Sequence, residues 1–383
     1  MEQSNGSTAT QAIPTWSSPG GEGEGSYSGL YSKMWNQMGS IIQPSLKHAI
    51  LHQFSPPKSG TEPIHYADFG YAVRANTLGF AKFVVDALKM RPDVIDRDIV
   101  CHFADLPSFD FNKLFKQLPP FTGQGDGSVE ERTWFADGVP GTHYGRMFPR
   151  SSLHVAITTL TLHYLSELPK SILDKSSPAY NKGKVGCHGS SPATAEAYAK
   201  VSRQGLRKFF ECRAEEIASG GVLGFYCLGR RDRAHPENQL VDEGSNYLLD
   251  IEKTWKELVN EGVLTDESLD DFNLPLCYPS IDELQEAIEH PPSAFRIEKL
   301  DFIEKRPLAD KPMEFDDAEA YGKFMAVMFG NMRPRLARYG LAPELTDEFE
   351  ERYRQNCEKS YAAKKAAGFP MNMSMCVAVL VRK

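Results

Sequence analysis

Tyr66-Ala67-Asp68-Phe69-Gly70-Tyr71-Ala72-Val73-Arg74-Ala75-Asn76-Thr77 is the stretch that decides how the rest of this chain is read. An apolar run closes on an acidic residue and passes a glycine turn. It then meets an Asn/Thr pair that would cap the amphipathic stretch 78–90. A buried strand, a tight turn and a helix in that order aim backbone N–H groups and a helix N-terminus at one point, where α/β folds receive nucleotide-like ligands. Asp68, at the strand end, is placed to hold a cationic or hydroxylated part of such a ligand. Arg74 is the anomaly: a phosphate cradle needs small residues so that the backbone can approach closely, and here a bulky cation occupies the turn.

On the N-terminal side, residues 27–54 carry helical spacing of apolar side chains, from Met34 and Met38 through Ile42 to Leu51. On the C-terminal side, residues 98–103 read as a second strand ending at Ala104-Asp105-Leu106-Pro107. Residues 133–139, 152–159 and 222–229 read as further strands, and 194–219 as a helix leading into the last of them through Gly220-Gly221. Strands alternating with helices predict a largely parallel α/β sheet. Beyond residue 240 the spacing turns helical over 247–261, 280–289 and 318–339, while 295–303 and 373–382 read as two late strands. The expected organisation is a tail over 1–25, an α/β core over 26–240 and 295–383, and a mainly helical cap over 241–294 and about 315–360.

Composition sets the outer limits. The chain has 383 residues, enough for one large domain or two smaller ones, and 41% of them are hydrophobic. A net charge of −8 with scattered Lys and Arg argues against a nucleic-acid partner. No apolar run approaches the roughly 18 residues of a membrane helix. Seven dispersed cysteines without C-x-x-C spacing predict reduced thiols and a cytoplasmic location. The first 25 residues, rich in Gly, Ser, Thr and Glu, read as a flexible tail.

In a doubly wound sheet the ligand lies outside the carboxyl ends of the strands, where Asp68 and Asp105 both fall. An acidic residue after the second strand takes ribose hydroxyls through charge-assisted hydrogen bonds. The interval between the two is longer than the roughly 20 residues of a dinucleotide unit. Patterning alone therefore leaves open a pair of capping or surface aspartates.

Read whole, the chain resembles the plant SABATH family of S-adenosylmethionine-dependent methyltransferases, which act on small carboxylic acids and, in some branches, on purine nitrogens. The matching runs are Gly20-Gly21-Glu22-Gly23 with Ser26-Tyr27, Asp105-Leu106-Pro107 with Asp110-Phe111-Asn112, and Gly138-Val139-Pro140-Gly141-Thr142-His143-Tyr144-Gly145-Arg146-Met147-Phe148-Pro149. Leu165-Ser166-Glu167-Leu168-Pro169, Asn181-Lys182-Gly183, Leu228-Gly229-Arg230-Arg231 and Asp270-Asp271-Phe272-Asn273-Leu274-Pro275 continue the series. The resemblance implies a Rossmann-like methyltransferase sheet under a helical cap, S-adenosylmethionine as cofactor, a small-molecule acceptor and a homodimer.

Residue by residue, the resemblance places the cofactor against Tyr27, Tyr31, Asp68, Gly70, Asn76, Asp105, Leu106, Thr142 and His143. Tyr31 stands where the family has a small Ser, and Arg74 replaces its second glycine. The family holds a substrate carboxylate between a Gln and a Trp; here those positions are Met34, which donates no hydrogen bond, and Tyr164, which keeps a phenolic donor. Leu160, His163, Asn246 and Tyr247 line the same pocket by position, together with Tyr31. Asn181, Asp270, Phe272 through its carbonyl, and Asn273 match positions where some members hold magnesium; a hydrogen-bonded loop clamp is the alternative.

Transfer from a sulfonium is an in-line displacement. A carboxylate is already ionised at pH 7 and needs orientation and desolvation rather than a base. A thiol or phenol would gain from a base, and His163, a residue type with an unperturbed pKa near 6.5, is the candidate base or orienter, a satisfied buried histidine being the alternative. Carboxyl O-methylation is the reaction the resemblance implies. The departures keep two alternatives in view: S- or N-methylation, and a methyltransferase-like fold turned to binding or cofactor-free catalysis.

Overall fold

The computed structural model describes residues 39–70, 75–116, 118, 134–239, 247–290, 293–307, 315–329, 336, 342–366 and 372–383. Tyr27, Tyr31, Met34, Arg74 and Asn246 lie outside the described residues, as do the side chains of Asn76 and Tyr247.

In chain order the elements are α1 (Gln43–His52), β1 (Ile64–Phe69), α2 (Ala75–Lys89), β2 (Ile99–Asp105), α3 (Phe111–Phe115), β3 (Phe135–Pro140), β4 (Leu153–Thr159), α4 (Pro192–Glu216) and β5 (Ile217–Leu228). They continue with α5 (Tyr247–Asn260), α6 (Asp266–Asp271), α7 (Ile281–Glu289), β6 (Phe295–Pro307), α8 (Ala318–Phe329), α9 (Pro343–Ala366) and β7 (Asn372–Arg382). The strands form one seven-stranded sheet in the order β3-β2-β1-β4-β5-β7-β6. Pairing is parallel from β3 through β5, and β7 runs antiparallel to both β5 and β6. The chain therefore winds outward from β1 to β3, crosses back beyond β1 to β4, and winds outward on the other side. That reversal opens a crevice above the carboxyl ends of β1 and β4.

Burial explains the strands. Leu153 through Thr158 are buried on both faces of the sheet, as expected of a central parallel strand covered by two layers. One layer is built from α1 and α2, whose Leu46, Ile50, Val84 and Leu88 pack with Val377 and Val379 of β7. The other is α4, whose Leu206, Phe209 and Phe210 pack on Ala156, Leu223 and Phe225. Ser191 caps α4 by accepting the Thr194 N–H at 3.1 Å, with Pro192 in its first turn.

Two expectations are corrected. Helix α2 begins at Ala75, so Asn76 lies in its first turn rather than ahead of it. Helix α7, expected in the cap, packs on α4 and β6 in the sheet's outer layer. Its Leu284, Ala287 and Ile288 join Phe210 and Phe295, and a Ser280–Glu283 capping box starts it. Glu283 also closes a buried, two-pronged ion pair on Arg230 at 2.7 and 2.8 Å. Helices α5, α6, α8 and α9 pack among themselves, with Trp255 of α5 in ring contact with Phe272 and Phe349 at 4.8 and 5.2 Å. No helix among the described residues is long and apolar enough to cross a membrane.

Candidate active site

Asp68, the penultimate residue of β1, has 1% of its surface exposed, and its Oδ1 has no hydrogen-bond partner among the described residues. Burial, and then the nearby charge of Asp105, raise its pKa to about 8. A lone carboxyl held this way costs the free protein stability, and a ligand's donor or cation would complete it. Gly70 follows with φ +74°, a conformation favouring glycine, and a Cβ there would lie 2.2 Å from Thr161 Cγ2. Its N–H donates to the Ala104 carbonyl at 2.7 Å, and Thr158 Oγ1 donates to the Phe69 carbonyl at 2.8 Å. The turn after β1 is thus pinned from both neighbouring strands.

Asp105 ends β2. Its Oδ1 accepts the Leu106 N–H at 2.7 Å, and its carbonyl accepts the Gly141 N–H at 2.8 Å, which draws the loop after β3 to the same crevice. In that loop Thr142 Oγ1 accepts the Tyr144 N–H at 3.4 Å. The His143 ring leans on Tyr144 at 4.3 Å and meets Phe209 edge-on at 5.9 Å, turned toward α4. Its Nε2 is enclosed without a partner among the described residues, and burial together with Arg213 pushes its pKa down to about 3. Asp68, Gly70, Asp105, Leu106, Thr142 and the start of α2 at Asn76 therefore gather at one end of the sheet.

The segment after β4 forms a second wall. Leu160 has φ +57°, unusual for a branched side chain, and its N–H donates to the Tyr226 carbonyl at 2.7 Å. His163 is 3% exposed; its Nδ1 accepts the Leu228 N–H at 3.4 Å, which places the ring proton on Nε2. Burial lowers its pKa to about 3, so the value near 6.5 expected of an exposed imidazole does not apply and the ring is neutral at pH 7. Tyr164 pairs with Leu276 across an antiparallel bridge, and its carbonyl accepts the Tyr144 hydroxyl. That bond joins the two walls. Tyr247 opens α5, and its backbone alone is described.

Asn181, Asp270, Phe272 and Asn273 also come together, but as a set that satisfies itself. Asn273 Oδ1 accepts from Asn181 Nδ2 at 2.7 Å and from the Tyr198 hydroxyl at 3.1 Å. The Asp270 carboxylate accepts the Gly183 N–H at 2.6 Å and the Tyr180 hydroxyl at 2.7 Å. Among the described residues no group of three or more His, Cys, Asp or Glu is arranged to hold a metal. The Asn273 side-chain oxygen and both Asp270 carboxylate oxygens are engaged in these bonds, the arrangement of a hydrogen-bonded loop clamp.

Two residues that bear on this site escaped the sequence reading. Arg213 and Glu216, in the last turn of α4, reach the loop after β3, and their separation by three positions on one helix was the available signal.

The sequence profile described as SAM dependent carboxyl methyltransferase matches residues 14–383. Indole-3-acetate O-methyltransferase 1 of Oryza sativa subsp. japonica is 34% identical over 330 residues, spanning 80% of this chain and 78% of that protein. Gibberellic acid methyltransferase 1 of Arabidopsis thaliana is 33% identical over 327 residues, spanning 82% and 84%. A solved structure of loganic acid methyltransferase with SAH has a TM-score of 0.77 at 26% identity, covering 95% of this chain and 99% of that one. A match that begins at residue 14 and runs to the last residue, over a sheet wound in this order, means that the chain belongs to the S-adenosylmethionine-dependent carboxyl methyltransferase family and is an S-adenosylmethionine-dependent methyltransferase.

Proposed function

We propose that this enzyme methylates the carboxylate of a small organic acid. The observation that carries the reading is the state of His163: buried and neutral, it offers a hydrogen-bond donor at Nε2 but is too weak a base at pH 7 to activate a thiol or phenol. An acceptor that is already ionised suits such a wall. Similar relatives are named for indole-3-acetate, gibberellic acid and loganic acid, which points to the same class.

S-adenosylmethionine supplies an electrophilic methyl group when bound. Asp105 would hold the ribose hydroxyls, Asp68 the amino cation, and the backbone around Gly70 and Thr142 the remaining edges. His163 Nε2–H and the Tyr164 hydroxyl would orient the acceptor carboxylate, and the buried walls would strip its water. A carboxylate oxygen so oriented would take the methyl group as its bond to sulfur breaks, and no proton would have to leave the acceptor. Isothermal titration with S-adenosylhomocysteine, followed by a labelled-methyl screen over carboxylic acids, thiols, phenols and purines, tests the reading. Transfer confined to thiols or purines would sink it.

His163→Leu should raise the acceptor KM by roughly tenfold to a hundredfold, the loss of one hydrogen bond to a charged group. His163→Gln, which keeps a donor, should remain within a few-fold. With cofactor saturating, kcat of the wild type should be flat between about pH 6 and 9, since neither the acceptor nor His163 titrates there. An acidic limb near 6.5 that disappears in His163→Gln would restore the base.

We read the Asn181–Asn273 cluster as a loop clamp, so dialysis against EDTA should leave kcat/KM unchanged, and activity restored by added magnesium would reverse that assignment. Family resemblance supports a homodimer, and seven buried free cysteines support a cytoplasmic home.

A further inference from the structure

Arg213 and Glu216 are both fully buried and paired at 2.7 Å. The Arg213 guanidinium donates to the carbonyls of His143 and Gly145, each at 2.9 Å. Glu216 Oε1 accepts the N–H groups of Met147 and Phe148, at 2.5 and 3.1 Å. The same guanidinium lies 4.0 Å from the centre of the Phe69 ring, and Phe69 stands between Asp68 and Gly70. One buried cation thus touches both arms of the crevice, the turn after β1 and the loop 141–148.

A bland account makes this a core ion pair that holds α4 to the sheet. Burying two charges is poor value for stability alone, because well-packed apolar residues often do as well. What apolar residues cannot do is take four backbone groups of an irregular loop at fixed positions while setting a cation over an aromatic ring. We propose that Arg213, braced by Glu216, is a positioning residue for the cofactor. It sets the spacing between the strand end carrying Asp68 and Gly70 and the loop carrying Thr142 and His143. The inference rests on the cofactor site proposed above.

Arg213→Lys in the full-length enzyme tests it. Lysine keeps the charge beside Glu216 but loses the planar fork. The variant should melt cooperatively, yet its dissociation constant for S-adenosylhomocysteine should rise about tenfold or more, with the S-adenosylmethionine KM rising in step. At saturating cofactor kcat should stay within about threefold. Glu216→Gln leaves one acceptor oxygen for three donors and should weaken binding several-fold, so it decides the matter if the lysine variant does not fold. Folded variants that bind with wild-type affinity, whatever their melting temperature, would assign the pair to stability and overturn the proposal. A wild-type enzyme that does not bind S-adenosylhomocysteine would instead overturn the cofactor site itself.

Discussion

Asp68→Asn should leave the free protein more stable above pH 7 while nearly abolishing its affinity for S-adenosylhomocysteine. The carboxyl is buried with one oxygen unpartnered among the described residues, and its pKa is raised to about 8. A pKa raised on folding contributes stability that is full below the unfolded value near 3.8, declines as pH climbs between the two values, and is gone above about 8. Asparagine carries no such charge, so the difference in melting temperature between variant and wild type should widen from pH 4 to 8 and then level. At pH 8 the gain should be roughly 1–3 kcal/mol, the avoided desolvation less the cost of burying an amide. Binding should move the other way. A ligand cation pairs with the ionised form, so wild-type affinity should rise with pH by up to about tenfold per unit and flatten above about 8, with proton release below that point. The variant should lose this dependence and bind about a hundredfold more weakly. Calorimetric melts across pH, and titrations in buffers of different ionisation heat, read both halves. An asparagine variant that is less stable at pH 8 and binds as well as wild type would remove Asp68 from the site.

Asp105→Ala should cost a similar factor in affinity, without the gain in stability. Its carboxylate at the end of β2 is half-buried and accepts the Leu106 N–H at 2.7 Å. Charge-assisted bonds to two ribose hydroxyls contribute about 3 kcal/mol or more, so alanine should weaken binding by a hundredfold or more. The same substitution removes the charge that adds to the elevation of Asp68, so the pH midpoint of the remaining affinity should move below 8. Unchanged affinity in a folded variant would show that Asp105 is no part of the site. An unmoved midpoint would show that the two carboxyls do not interact across the strand ends.

Both carboxyls were legible in the sequence because they end apolar runs of strand composition, and strand ends are where α/β sheets present their ligands. The late strand pair was legible for the same local reason: strand composition over 295–303 and 373–382 predicts β6 and β7. Helix α9 was not delimited, since its buried Thr346, Phe349, Tyr353, Asn356 and Cys357 are spaced helically within a strongly charged surround. Helix α7 was assigned to the wrong layer. Its periodicity is that of any amphipathic helix, and what seats it on the sheet is Glu283 meeting Arg230, 53 positions away along the chain.

The sequence by itself determined the kind of protein this is: an α/β methyltransferase with two acidic strand ends, recognisable because those motifs are runs of neighbouring residues whose spacing survives in one dimension. Only the tertiary structure decided the chemistry available at each group. Burial turned His163 from a candidate base into a neutral donor, and burial beside Asp105 raised Asp68 to about 8. Packing of loop, strand end and helix terminus brought Arg213 to Phe69, His143 and Gly145 at once. A pKa and a shared hydrogen-bond partner depend on what surrounds a side chain in space, and distant segments supply those surroundings only when the chain has folded.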